Sequence, residues 1–186
     1  MTSILSLAAL AAVVAAAVIG LSLVVAEPKA RISPYNFPAF RMRTEETREG
    51  IRGISTELEW RGRSDWTERQ VRSDGSIGLV TKEVQDGRVL LHGMGPTHAD
   101  KVSGGSVEVP GVWFRDIVFT LPSPTESRSQ TGSLVTMTRK TPIDVEEWDA
   151  DATTGIPLAY RKLVDGRVIQ EIRVVSLVLE DGTVIR

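Results

Sequence analysis

The sequence contains no cysteine, only two histidines, and aromatic residues at just 5%. Without cysteine there are no disulfides, no thiolate metal sites, no Cys nucleophile and no lipid-modified N-terminal cysteine. Thiols therefore say nothing about the compartment. The two histidines, His92 and His98, have only Asp100 near them in sequence. Metal binding or acid–base chemistry would need a third converging ligand or an orienting partner. They read as solvated loop residues. The Gly-x-x-x-x-Gly-Lys-Ser/Thr spacing of a phosphate loop is missing around Gly95–Lys101, as is any Gly-x-Ser-x-Gly. Glu146 and Glu147 are adjacent, so on a strand they project to opposite faces. The expectation is a protein without catalytic residues or cofactors.

Charge of one sign is also lacking. Twenty-two basic residues stand against 24 acidic ones, for a net charge of −2. Nucleic acid as a partner would favour a basic face, and none is indicated. Only Lys29, Lys82, Lys101, Lys140 and Lys162 are lysines, the other basic residues being arginine. This is a coding bias more than the mark of an anion site.

Residues 4–26 hold no charge at all and are rich in Ala, Val, Leu and Ile. At about 1.5 Å per residue, this run would cross the roughly 30 Å hydrocarbon layer of a bilayer. A cleaved signal peptide would end at Val24-Val25-Ala26, leaving a secreted or periplasmic protein. Yet Met1-Thr2-Ser3 supplies no basic n-region, and a signal's apolar core is shorter, so an uncleaved single-pass anchor is the preferred reading. Lys29 and Arg31 follow the run, which by the positive-inside rule would put the remaining chain in the cytoplasm. Residues 27–38, with Pro28, Pro34 and Pro38, read as an extended linker.

From residue 39 to 186 the pattern is that of an antiparallel β-domain. Asp86-Gly87, Asp165-Gly166 and Asp181-Gly182 lie between β-rich runs, and Asp-Gly favours the type I′ hairpin turn. The runs Phe40–Thr44, Thr56–Trp60, Trp66–Arg72, Ser76–Val84 and Arg88–His92 read as successive strands. Gly93–Gly105 reads as a flexible loop, and Val107–Val109 and Trp113–Leu121 as strands separated by Pro110-Gly111. Pro122–Gly132, rich in Ser and Thr, reads as a solvated loop. Leu134–Lys140, Val145–Asp149, Pro157–Val164, Val168–Leu179 and Thr183–Arg186 complete the sheet. No amphipathic helix is indicated. A meander of this size curls into a barrel, half-barrel or sandwich.

Asp149 and Asp151 suggest a calcium loop, but Gly at position six and Glu at twelve are replaced by Thr154 and Tyr160. A turn in which Asp side chains bond nearby amides fits better. Trp60, Trp66, Trp113 and Trp148 each fall in or beside a strand. They either fill the core or line an apolar cavity within a curved sheet.

The stretch Trp148-Asp149-x-Asp151-x-Thr153-Thr154-Gly155-Ile156-Pro157-Leu158-x-Tyr160 resembles a segment of the bacterial LolA-like and RseB-like envelope half-barrels. The specific resemblance covers residues 144–179. It implies an extracytoplasmic fold in which a curved antiparallel sheet presents an apolar concave face to acyl chains or envelope proteins. It also implies the opposite membrane side from that given by Lys29 and Arg31, and takes precedence here. Helices that plug the concave face in those families have no counterpart in this sequence.

The sequence thus leads to an all-β half-barrel or open barrel behind an N-terminal apolar helix, held to the membrane by residues 4–26. Its expected task is to bind an apolar chain, lipid or lipoprotein acyl group, or an exposed envelope-protein segment. The expected contacts are Trp60, Trp66, Leu79, Trp113 and Tyr160. The alternative is an accessory subunit of a larger membrane complex. A cavity of about 300 Å³ or more would favour binding, and a filled interior with an exposed apolar patch would favour the subunit.

Overall fold

The computed structural model describes residues 35–91, 98–101 and 108–185. The apolar segment 4–26, the linker up to residue 34, His92 and residues 93–97 and 102–107 lie outside the described residues.

The described residues form twelve strands: β1 (Phe40–Arg48), β2 (Ile51–Gly62), β3 (Asp65–Val71), β4 (Ile77–Gln85), β5 (Arg88–Leu91) and β6 (His98–Lys101) in the first half. The second half holds β7 (Glu126–Thr131), β8 (Leu134–Lys140), β9 (Val145–Asp151), β10 (Pro157–Val164), β11 (Arg167–Leu179) and β12 (Val184–Ile185). All pair antiparallel in one sheet of order β6-β5-β4-β3-β2-β1-β11-β10-β9-β8-β7, with β12 added to β11. Two meanders thus grow outward in opposite directions from the central β1–β11 pair. The sheet is open: β6 and β7 form its two ends.

The turns follow local chemistry. At Asp86-Gly87 and Asp165-Gly166 both residues have positive φ, as a type I′ turn requires. Glu49-Gly50 makes the same turn, with φ of 49° and 79°. It joins β1 to β2, both longer than the sequence reading gave them. Their outer halves, Glu45–Arg48 and Ile51–Ser55, are polar or solvated, so hydrophobic alternation does not mark them. Asp181-Gly182 differs. Only Gly182 has positive φ, and the Asp181 carboxylate accepts from the Thr183 amide at 2.8 Å.

Side-chain register builds a core on one face. Val89, Val84, Trp66, Trp60, Phe40 and Leu179 are successive partners across β5, β4, β3, β2, β1 and β11. Met137, Trp148, Tyr160 and Ile172 make a second row across β8, β9, β10 and β11. We call this the inner face. The outer face carries charge pairs such as Arg43–Glu57, Arg69–Glu59 and Arg161–Asp149. Polar residues alternate outward as a half-buried antiparallel sheet demands.

Three expectations need correction. Gly93–Gly105 is not wholly loop, because His98–Lys101 forms β6 against β5. Pro122–Gly132 likewise contains β7, paired with β8. Both are end strands of polar sequence, a composition that protects an open sheet edge and carries no hydrophobic alternation. In contrast, Trp113–Leu121 is not a strand, and neither are Glu108 and Val109; Val107 lies outside the described residues. The reason is topological. Since β6 and β7 end opposite sides of the sheet, the chain between them must cross it. Residues 108–121 do so as an irregular strap over the inner face.

Candidate functional site

The strap fills the interior that the sequence reading left for a ligand. Phe114 is fully buried, with ring centroids 5.0 Å from Trp60, 5.4 Å from Phe37 and 5.4 Å from Trp113. Ile117 is buried beside it in the same core. Trp60 stacks on Phe40 at 6.2 Å and on Trp66 at 6.4 Å. Trp60, Trp66 and Trp113 are therefore one aromatic cluster. Tyr160 belongs to another, 5.4 Å from Trp148. Leu79 joins neither and stands 73% exposed on β4.

A strap without a strand ladder must satisfy its backbone in other ways. The buried Asp116 carboxylate accepts from the amides of Tyr35 and Phe119, each at 3.1 Å. Arg128 Nη1 on β7 donates to the carbonyls of Ile117, Val118 and Thr120 at 2.9–3.0 Å. Trp148 Nε1 donates to Val112 O at 3.1 Å, and the Arg115 guanidinium lies 4.8 Å from the Trp148 ring centroid. At the strap's start, Glu108 pairs with Lys82 of β4. These anchors were missed in the sequence because 113–121 was read as a strand. One signal was there: Trp113-Phe114 places two large apolar residues side by side, which strict period-2 alternation does not give in a half-buried strand.

The resembling motif now has a structural role. Asp151 Oδ1 accepts from the amides of Thr153 and Thr154 and from Thr154 Oγ1, at 2.7–3.1 Å. Asp149 instead meets Thr136 Oγ1 at 2.7 Å and Arg161 at 3.0 Å. The two carboxylates serve a turn and a strand pairing. Behind them, buried Tyr160 donates to Glu146 at 2.8 Å, and Arg139 Nε donates to the same carboxylate at 2.8 Å. Burial and the Glu146 carboxylate both push the Tyr160 phenol well above its ordinary value, so it stays a donor.

Among the described residues, two open recesses exceed about 300 Å³. One, of about 390 Å³, runs along the strand ends at Phe40, Trp60 and Leu179, with Arg41, Arg61 and Glu180 around it. Phe40 and Trp60 are 3% and 0% exposed, so they offer it almost no apolar surface. Arg61 there is already engaged by Glu59 and Asp65.

The second recess, of about 320 Å³, lies on the inner face beyond the strap. Thr44, Glu46, Thr56, Glu68, Gln70 and Ile172 line it from four strands. Ile54 adds an apolar wall, and the strap contributes Val112 and Trp113. Ile54 and Val112 are more than half exposed. Glu46 is satisfied within the protein, accepting from Arg48 Nε at 2.6 Å and Gln170 Nε2 at 2.7 Å. Glu68 accepts from Thr81 Oγ1 at 3.1 Å. Burial raises the Glu68 carboxyl above its ordinary value, against the opposing Thr81 hydrogen bond and the Lys82 charge. Among the described residues, no group of three or more His, Cys, Asp or Glu is placed to hold a metal ion.

The geometry defines an open all-β domain whose interior is closed by its own strap and whose free inner surface is an amphipathic recess. No family model and no curated protein matches the sequence. Among solved structures, the chain is similar to MucB in complex with the periplasmic part of MucA, at 15% identity and a TM-score of 0.41, over 75% of this chain and 49% of that one. It is also similar to the Pseudomonas aeruginosa MucA/MucB complex, at 20% identity and a TM-score of 0.42, over 75% and 50%. A crystal structure of MucB gives 17% identity and a TM-score of 0.43, over 78% and 55%. The chain spans about half the length of the MucB structures it matches.

Proposed function

We propose that this protein is a non-catalytic binding domain, held to a membrane by residues 4–26 with its β-domain on the extracytoplasmic side. Its inner-face recess takes an exposed segment of another envelope protein. The observation that carries this reading is the lining of the recess. The Thr44 and Thr56 hydroxyls pair with each other at 2.8 Å and keep acceptor capacity, and Gln70 can exchange hydrogen bonds with a peptide backbone, while Ile54, Ile172 and Trp113 offer apolar contact. An acyl chain would cover the Gln70 amide and the remaining hydroxyl capacity of the Thr44–Thr56 pair without offering a partner. The interior where such a chain would lie is occupied by Phe114 and Ile117.

An accessory subunit would use the same exposed residues, Ile54 and Val112, and would differ in the permanence of its partner. Photo-cross-linking in the native membrane tests both. A benzophenone amino acid replaces Thr56 in the recess or Arg173 on the outer face of the full-length chain. A protein adduct specific to position 56 is expected. A partner that also co-purifies stoichiometrically makes the protein a subunit. Lipid adducts alone, or the same adducts from both positions, overturn the reading.

A further inference from the structure

We infer that the recess selects a cationic side chain, lysine or arginine, from the bound segment, with Glu68 as its counter-charge. This inference rests on the reading of the recess as a polypeptide site. Three charged side chains line the recess, Glu46, Arg48 and Glu68. Arg48 is bound to Glu46, and that pair is internally neutral. Glu68 is left over.

The neighbours of Glu68 offset its charge only in part: Lys82, its cross-strand partner, favours the carboxylate electrostatically but makes no ion pair with it. Thr81 gives it one hydrogen bond and no charge. Lys82, the adjacent cation, has its ammonium turned to Glu108 at the start of the strap, 5.6 Å from the Trp66 centroid. Among the described residues Glu68 takes no other side-chain hydrogen bond. A desolvated carboxylate without a cation of its own is costly, and a ligand that supplies the cation recovers that cost. The rest of the wall suits the stem of such a side chain. Lysine and arginine lay their methylenes along apolar surface, here Ile54, Val112 and Trp113, while the charged head reaches a polar end. The volume falls at the lower end of the roughly 300–1,000 Å³ found for ligand sites. A divalent metal fits less well, because hard cations need several oxygen ligands, usually more than one carboxylate.

The test uses the full-length chain in mild detergent and two pools of acetylated, amidated pentapeptides. One pool carries arginine at its centre between randomised flanks. The other carries citrulline, which keeps the shape and loses the charge. The arginine pool is expected to bind roughly tenfold or more tightly than the citrulline pool. Glu68→Gln should erase that preference, bringing the arginine pool to the affinity of the citrulline pool. Glu171→Gln, on the outer face, should alter neither. Equal binding of the two pools by the parent, or an arginine preference that survives Glu68→Gln, overturns the charge inference alone. Binding of neither pool at millimolar concentration overturns the polypeptide reading beneath it as well.

Discussion

Gly155 passes beneath Phe119 so closely that a Cβ added there would lie 2.9 Å from Phe119 Cε2. The same Cβ would be 3.4 Å from Phe37 Cε1, and the Gly155 φ is +74°. The glycine of the turn motif thus serves two purposes. It adopts the left-handed conformation that ends the Asp151 turn, and it leaves room for the strap to pass. The motif that looked like a local turn is also the floor on which a distant segment rests.

Gly155→Ala should therefore cost about 1–3 kcal/mol, from left-handed backbone and crowding together. Gly132→Ala is the control. Its φ is +59° but nothing lies within 4 Å, so only the backbone term of about 1–2 kcal/mol applies. Phe119 is 40% exposed and its ring can swing aside. In a Phe119→Ala background the excess cost of Gly155→Ala over Gly132→Ala should vanish, as read by urea unfolding. An unchanged excess would show that the strap does not rest there.

The four tryptophans should not respond alike to loss of the indole N–H. Trp148 Nε1 donates to Val112 O, whereas Trp60 Nε1 and Trp66 Nε1 find no acceptor among the described residues. Trp148→Phe removes a hydrogen bond and leaves a strap carbonyl unpaired. Trp60→Phe removes a donor that was already unsatisfied. Trp148→Phe is expected to destabilise more, by about 1 kcal/mol, on top of similar losses in packing. The reverse order in chemical unfolding would contradict this assignment of the strap contacts.

Arg128 holds the end of the strap through three carbonyls. Arg128→Met keeps the stem and removes the donors. The expected cost is about 1–3 kcal/mol, set by hydrogen bonds from a charged group. The near-ultraviolet signal of Trp113 should weaken with it, because both residues order the same segment. Arg128→Lys keeps the charge without the planar fork and should restore only part of the loss.

Glu68 gives stability a distinctive pH dependence. Burial raises its folded-state pKa, so the native protein holds the proton to higher pH than the unfolded chain does. The penalty for ionising it is absent below the unfolded value of about 4. It appears as pH rises from there and is complete above the raised folded value. Relative to the parent, Glu68→Gln should gain stability at pH 7, and that gain should shrink toward zero near pH 4. A difference in urea midpoint that stays constant from pH 3.5 to 8 would contradict a desolvated carboxylate at this position. Lys82 and Glu108 are present in both proteins, so their contribution is common to the comparison.

Much of the sheet was legible because its signals are local. Asp86-Gly87 and Asp165-Gly166 announce their turns, and Leu134–Lys140 and Pro157–Val164 match their strands residue for residue. The end strands were not legible, since Glu126–Thr131 is polar on both faces and alternation has nothing to report there. The strap was misread for a deeper reason. Trp113 and Phe114 have the composition of a strand, and what makes them a strap is the opposite placement of β6 and β7, a property of the whole sheet order. That same fact shapes the inner face. Trp60 and Trp66 lie in the core with Phe114, while Trp113 reaches the recess beside Thr56, Glu68 and Gln70, none of which stands out in the sequence.

The absence of cysteine allows the central claim to be tested with a single introduced thiol. Thr56→Cys in the recess and Arg173→Cys on the outer face are each placed in the full-length chain, and intact cells are treated with a membrane-impermeant maleimide. The account predicts rapid labelling at position 173, protection at position 56, and release of that protection once the protein is purified away from its partner in detergent and high salt. Equal labelling of both positions before and after purification would contradict it.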